Sequence, residues 1–183
     1  TPNRNAEVNI AALTALGYEH IIDLRTRHTH VLEGTGSMVI DHEQQLIYAC
    51  LSERTTLAAL HEMSTELNMD LCYFTAKNQR GVPIYHTNVM LFVMNGIVAV
   101  CLESIFDAKE RSQVETQVTA SGNEVLNLSQ EQINRYCGNM IQLVNHKKEP
   151  ILVASETAWN GLSSKQKKQI EQKSAICTLA IPT

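Results

Sequence analysis

Two short segments carry residues able to do chemistry. In His30-Val31-Leu32-Glu33-Gly34-Thr35-Gly36-Ser37 a carboxylate is followed by small, flexible residues just ahead of an apolar run, so Glu33 can be presented to a ligand with backbone close by. In Pro83-Ile84-Tyr85-His86-Thr87-Asn88 a histidine stands one residue before a second apolar run, with an asparagine expected on the same side two residues later. A carboxylate is the natural partner of a guanidinium or an amide N–H, and histidine is the natural proton carrier near neutral pH. Taken alone, each segment is also read as ordinary structure: a β-turn with a solvated glutamate, and a strand-end histidine bonded to backbone.

Their phase relates them. Ser37, Asn88 and Asn139 recur at a spacing of fifty-one residues, each at the expected start of a strand. Second strands follow the same beat at 46–51, 97–102 and 151–154, after the polar turns 41–45, Asn95-Gly96 and 145–150. Asn95-Gly96 between β-rich runs is a type I′ hairpin signal. Helical patterns come next at 55–67, 107–119 and 156–173, with Thr55 or Thr56 as an N-cap, Asn68 as a stop and Ser163-Ser164 as punctuation in the last. Third strands are expected at 71–74, 124–128 and 175–180. The unit is strand–strand–helix–strand, in repeats of about 36–75, 87–128 and 138–180. Residues 6–24 resemble the tail of a fourth unit, with a helix from Ala6 to Leu16 ended by Gly17 and a strand from Tyr18 to Leu24.

About three and a half such units, each able to bury its face only against neighbours, predict one α/β domain over 1–183 shaped as a partial wheel. In a radial arrangement Ser37, Asn88 and Asn139 crowd the axis, where polar residues imply a polar pocket within reach of Glu33 and His86.

Composition narrows the function. The 183 residues are 44% hydrophobic and 19% charged, an ordinary globular balance. A net charge of −4, with aromatics at 5%, argues against a nucleic-acid partner. The one dense cationic stretch, 165–173, is interleaved with glutamines and reads as a solvated helix face. No apolar run approaches the roughly 18 residues of a membrane span. Five cysteines without CxxC spacing point away from a disulfide framework or a zinc site and toward a reducing cytoplasm. The opening Thr-Pro-Asn-Arg lacks Met and a signal-peptide pattern, so the chain is expected to be an internal fragment.

Leu32-Glu33-Gly34-Thr35-Gly36-Ser37-Met38-Val39, Tyr85-His86-Thr87-Asn88-Val89-Met90 and Gly138-Asn139-Met140-Ile141-Gln142-Leu143 together resemble the amidinotransferase-like, arginine-deiminase-related proteins. The narrowest resemblance is to the citrulline utilisation hydrolases, and it runs from Pro2-Asn3-Arg4 to Ile181-Pro182-Thr183. It implies a pentein fold, a five-bladed α/β propeller of strand–strand–helix–strand units around an axial site. It further implies hydrolysis of a C–N bond in a small guanidino or ureido compound such as arginine or citrulline, with no metal or organic cofactor. By the same resemblance His86 is the catalytic histidine that protonates the departing amine and helps activate water, and Glu33 grips the guanidino or ureido group. Asn88 stands where arginine deiminases carry an aspartate, and 34–37 lacks the aspartate that follows their glutamate. Ser37, Asn88 and Asn139 are expected to bind substrate.

The family's chemistry also needs a nucleophilic cysteine that forms a covalent intermediate. In relatives it follows a Gly-rich stretch after an Ile-Pro-Thr-like segment, so it is expected beyond Thr183. Cys177 then reads as a strand residue, Cys137 as a buried hydrophobe, and Cys50 and Cys101, which repeat each other, as core. Two other readings stay open. An amidinotransferase shares the fold and intermediate but uses an amine acceptor, and a non-catalytic module of the same fold would hold an amino acid or protein partner. An incomplete wheel exposes raw edges that favour a homo-oligomer.

Overall fold

Residues 38–50 are two apolar runs split by a polar turn, and they pair as a hairpin. β1 (Met38–Asp41) runs antiparallel to β2 (Leu46–Cys50), with Met38 opposite Ala49. The turn is tied by Asp41, whose Oδ1 accepts from the amides of Glu43 and Gln44. Helix α2 (Leu57–Leu67) then crosses back, ended by Asn68 in the left-handed region at φ 52°. It returns the chain as β3 (Asp70–Phe74), parallel to β2. These positions come from a computed structural model that describes residues 9–23 and 31–181.

The same order recurs twice. β4 (Leu91–Met94), β5 (Ile97–Val100), α3 (Ala108–Ala120) and β6 (Glu124–Asn127) form a second sheet. After a short helix, α4 (Gln130–Ile133), come β7 (Ile141–Val144), β8 (Pro150–Ser155), α5 (Glu156–Gly161), α6 (Ser164–Glu171) and β9 (Ala175–Leu179). Each sheet has three strands in sequence order, the first pair antiparallel and the second parallel. The expected break in the last helix is real: the Ser163 side chain caps α6 by accepting from the Gln166 amide. The capping box of α4, Ser129 with Gln132, is a helix signal of the same kind that the periodicity reading passed over.

The core is the set of middle strands. Every residue of β2 and β5 is buried, and Tyr48, Phe74, Phe92, Met90 and Leu126 fill the space between sheets. Neighbouring units interlock through α3, which packs on β3 of the preceding unit as well as on β6. Glu110 of α3 accepts from both the amide and the hydroxyl of Thr75. Four of the five cysteines belong to this core, as expected for small hydrophobes; Cys177 is exposed on β9.

Three expectations need correction. Tyr18 to Asp23 form no strand and belong to none of the three sheets of the described residues; Tyr18 and Ile22 stand exposed. The helix before them is α1 (Ile10–Ala15), capped by the Asn9 side chain; Ala6, Glu7, Val8 and Leu24 lie outside the described residues, as do His30, Pro2-Asn3-Arg4 and Pro182-Thr183. The Asn95-Gly96 turn is not type I′, since only Gly96 has a positive φ, 70°. The Asn95 amide is instead held by Gln142 Oε1 of the third unit at 2.8 Å. Finally, Thr87–Val89 is a 3₁₀ turn rather than the head of a strand, and β4 starts only at Leu91. Asn88 therefore does not share a face with His86 by strand alternation.

Candidate active site

Glu33 sits in a tight turn whose geometry is built by its own neighbours. The Gly36 amide donates to the Glu33 carbonyl and the Ser37 amide to the Gly34 carbonyl, with Gly34 at φ 55°. The Ser37 hydroxyl accepts from the Glu33 amide at 2.7 Å and donates to the Arg54 carbonyl at 2.8 Å. This corrects the expectation for Ser37: it is fully buried with its hydroxyl committed to the turn, so it holds Glu33 in place instead of facing a pocket.

His86 arrives from the second unit. Its Nε2 lies 2.8 Å from Glu33 Oε2. The ring rests on Gly36 so closely that a Cβ there would meet Cδ2 and Nε2 at 2.9 Å, which explains why glycine is needed at that position. Tyr85 stacks edge-on to the ring with centroids 4.7 Å apart, and its carbonyl accepts from the Ser52 hydroxyl.

Arg54 completes the group and escaped the sequence reading. Its Nη1 donates to both Glu33 oxygens, at 2.9 and 3.1 Å, while the guanidinium lies over the Tyr85 ring. The hydrogen bond to Glu33 pushes the Arg54 pKa up, and the hydrogen bonds from His86 and Arg54 help to lower that of Glu33 against the cost of burial. A carboxylate thus stays ionised between a permanent cation and a histidine. With Nε2–H donated to Glu33, Nδ1 is the position from which a proton can move.

The other two expected pocket residues meet along the next seam. Asn139, exposed two residues ahead of β7, donates its side-chain N–H to the Asn88 carbonyl at 2.9 Å. Gly138 beside it lets the two units close, since a Cβ would sit 2.3 Å from the Val89 oxygen. Thr87 ties the first seam as Asn139 ties the second, its hydroxyl donating to the Ser37 carbonyl at 2.6 Å. The fifty-one-residue beat is therefore a line of contacts from unit to unit.

None of the buried thiols is poised to react. Burial raises Cys50 to about 12 and Cys72 and Cys137 to about 11, and it raises Cys101 as well. Cys50, though next to Thr87, turns its sulfur toward the Ile84 carbonyl at 3.3 Å, and Cys137 toward that of Ala158. Among the described residues no three His, Cys, Asp or Glu side chains gather to hold a metal ion, and no helix is long and apolar enough to cross a membrane.

A family model described as N,N dimethylarginine dimethylhydrolase, eukaryotic, matches residues 1–183. The chain belongs to this family. The resemblance to arginine-deiminase-related proteins read from the motifs is thereby borne out. No curated protein matches the chain. Among solved structures, ArgZ, an arginine dihydrolase from the ornithine-ammonia cycle in cyanobacteria, aligns with a TM-score of 0.67 at 14% identity over 92% of this chain. Its N-terminal domain covalently bound to a reaction intermediate aligns with a TM-score of 0.66 at 15% identity, again over 92% of this chain. The complex of AgrE with ornithine and NAD+ gives a TM-score of 0.68 at 14% identity over 92% of this chain. At these identities the likeness speaks for the fold, which is the pentein-type α/β fold expected from the motifs. This chain of the dimethylarginine dimethylhydrolase family spans 24% of ArgZ, 56% of that N-terminal domain and 22% of AgrE.

Proposed function

We infer that the protein is a hydrolase that cleaves a C–N bond in the guanidino or ureido group of an arginine- or citrulline-like compound, through a covalent cysteine intermediate. The observation that carries this reading is the Glu33–His86 pair, a carboxylate at 2.8 Å from the proton-carrying ring, in a chain of the dimethylarginine dimethylhydrolase family. The covalent intermediate seen on the N-terminal domain of ArgZ supports the route.

In this mechanism a cysteine thiolate bonds to the guanidino carbon. As the C–N bond breaks, His86 delivers a proton to the departing nitrogen. A water then attacks the same carbon, gives its proton to His86, and the C–S bond breaks to restore the thiolate. Glu33 fixes the His86 ring and offers negative charge to a cationic substrate, while Asn88 and Asn139 line the approach along the second seam. With four thiols buried and raised and Cys177 out on β9, the attacking thiol is proposed to come from a cysteine other than these five.

The test uses the full-length protein with arginine, citrulline and N,N-dimethylarginine, following amine or ammonia release. His86→Ala should lose at least about 100-fold in turnover with an unchanged far-UV CD spectrum. Full activity in that variant would overturn the assignment. Adding an amine acceptor separates transfer from hydrolysis by whether a new amidino compound appears.

A further inference from the structure

We propose that Thr87 is a positioning residue whose buried hydroxyl and amide set the approach of His86 to Glu33. The proposal rests on the reading of His86 as the general acid/base.

Thr87 is fully buried, although both its neighbours, His86 and Asn88, are partly open to solvent. Apart from its carbonyl, which accepts from the Met90 amide within the 3₁₀ turn, three hydrogen bonds tie it to other segments, and each of those segments carries a site residue. The amide donates to the Gly36 carbonyl at 2.7 Å. The hydroxyl donates to the Ser37 carbonyl at 2.6 Å and accepts from the Cys50 amide at 2.8 Å. Gly36 and Ser37 belong to the turn that presents Glu33. Cys50 ends β2, from which the chain runs directly to Arg54.

A hydroxyl is not needed to fill this space, because valine has nearly the same shape. What valine lacks is the pair of opposite hydrogen-bonding roles that Oγ1 performs at once. Without them, the Ser37 carbonyl and the Cys50 amide are left unpaired in a buried place, and the two segments separate or admit water. The His86 ring sits one residue away with Gly36 pressed against its face, so a small shift at Thr87 alters the Nε2–Oε2 distance. The second tie, from Ser52 to the Tyr85 carbonyl, holds the segment on its far side and leaves Thr87 as its register pin on the Glu33 side.

The experiment compares Thr87→Val, Thr87→Ser and Thr87→Cys with wild type in the full-length protein. Two readouts are taken: kcat and KM with their pH profiles, and the NMR titration and tautomer of the His86 ring without substrate. Thr87→Val should lower kcat about 100-fold, the scale of an ångström misplacement, with KM within about twofold, and should shift the His86 titration. Thr87→Ser, which keeps both hydrogen bonds, should recover wild-type values within about threefold on both readouts. A folded Thr87→Val with wild-type kcat and His86 titration overturns the proposal. Should that variant not fold, Thr87→Cys decides: wild-type behaviour there overturns the proposal, and a shifted titration with reduced kcat supports it. The titration needs no turnover, so a protein inert toward all three compounds but with a shifted ring in Thr87→Val would sink the functional reading and leave Thr87 standing.

Discussion

The Nε2 of His86 and the Oε2 of Glu33 are 2.8 Å apart although fifty-three residues of chain separate them. Arg54 holds the same carboxylate from another side, so one ionised group serves two cationic or proton-bearing partners. That arrangement orients an imidazole as the aspartate of a catalytic triad does, by fixing which ring nitrogen is free. Here Glu33 both orients the ring and pairs with the Arg54 guanidinium.

Glu33→Gln keeps the shape and removes the charge. Turnover of the full-length protein should fall about 100-fold or more, and the melting temperature at neutral pH should fall too, because Glu33 is only 15% exposed and is hydrogen-bonded to both Arg54 and His86. Steady-state kinetics beside a melting curve checks both halves. Undiminished turnover would remove Glu33 from the mechanism.

The two seam glycines should respond differently to a methyl group. Gly36→Ala places its Cβ against the movable His86 ring at 2.9 Å, so activity should drop with a modest change in stability. Gly138→Ala meets backbone instead, the Val89 oxygen at 2.3 Å and the Met90 Cα at 2.7 Å. Backbone cannot swing away, and the loss should be about 3 kcal/mol in urea unfolding. Equal effects of the two on stability would contradict this contrast.

Alkaline pH should destabilise the fold. Cys50 is raised to about 12 and Cys72 and Cys137 to about 11, against 9.0 for a free thiol. In the unfolded chain these groups ionise from about pH 9, while in the folded protein they keep their protons. The unfolded state therefore loses protons first, and stability that is complete below pH 9 declines as pH rises toward 11–12. Urea midpoints at pH 8 and pH 10.5 should differ in that direction. At pH 8 a thiol reagent should modify Cys177 alone among the five until the protein is unfolded.

Acid acts through Glu33 with the opposite sign. Its folded value of about 2 lies below the ordinary 4.5, so its contribution is present above pH 4.5 and disappears as pH falls through 2. Glu33→Gln should flatten that part of the stability profile between pH 5 and 2. A profile identical to wild type would mean that the carboxylate contributes nothing to the fold.

The repeat could be read from sequence because each unit signals locally. The apolar pairs around 41–45, Asn95-Gly96 and 145–150, and the helix stop at Asn68, are settled within a dozen residues. The site is different in kind. Glu33 and His86 announce themselves by type, but Arg54 matters only because the turn after β2 folds back beside Glu33, and nothing near Ser52-Glu53-Arg54 says so. Asn88 was misplaced for a similar reason. Thr87 is drawn to Gly36, Ser37 and Cys50, and those distant bonds bend 87–89 into a 3₁₀ turn where local pattern favours a strand. Tyr18 to Asp23 carry a strand-like pattern but join none of the three sheets among the described residues, and pattern alone forms no strand.

Among the described residues the three sheets share no strand, so no ladder crosses a seam. Opening one unit therefore breaks no ladder in the next, only packing and a few ties such as Asn139 to Asn88. Amide exchange should sort the backbone into three blocks with different lifetimes instead of one. β2 and β5, buried throughout, would be the slowest to exchange. The third block, whose β7 leaves Ile141, Leu143 and Val144 exposed, would be the first to open.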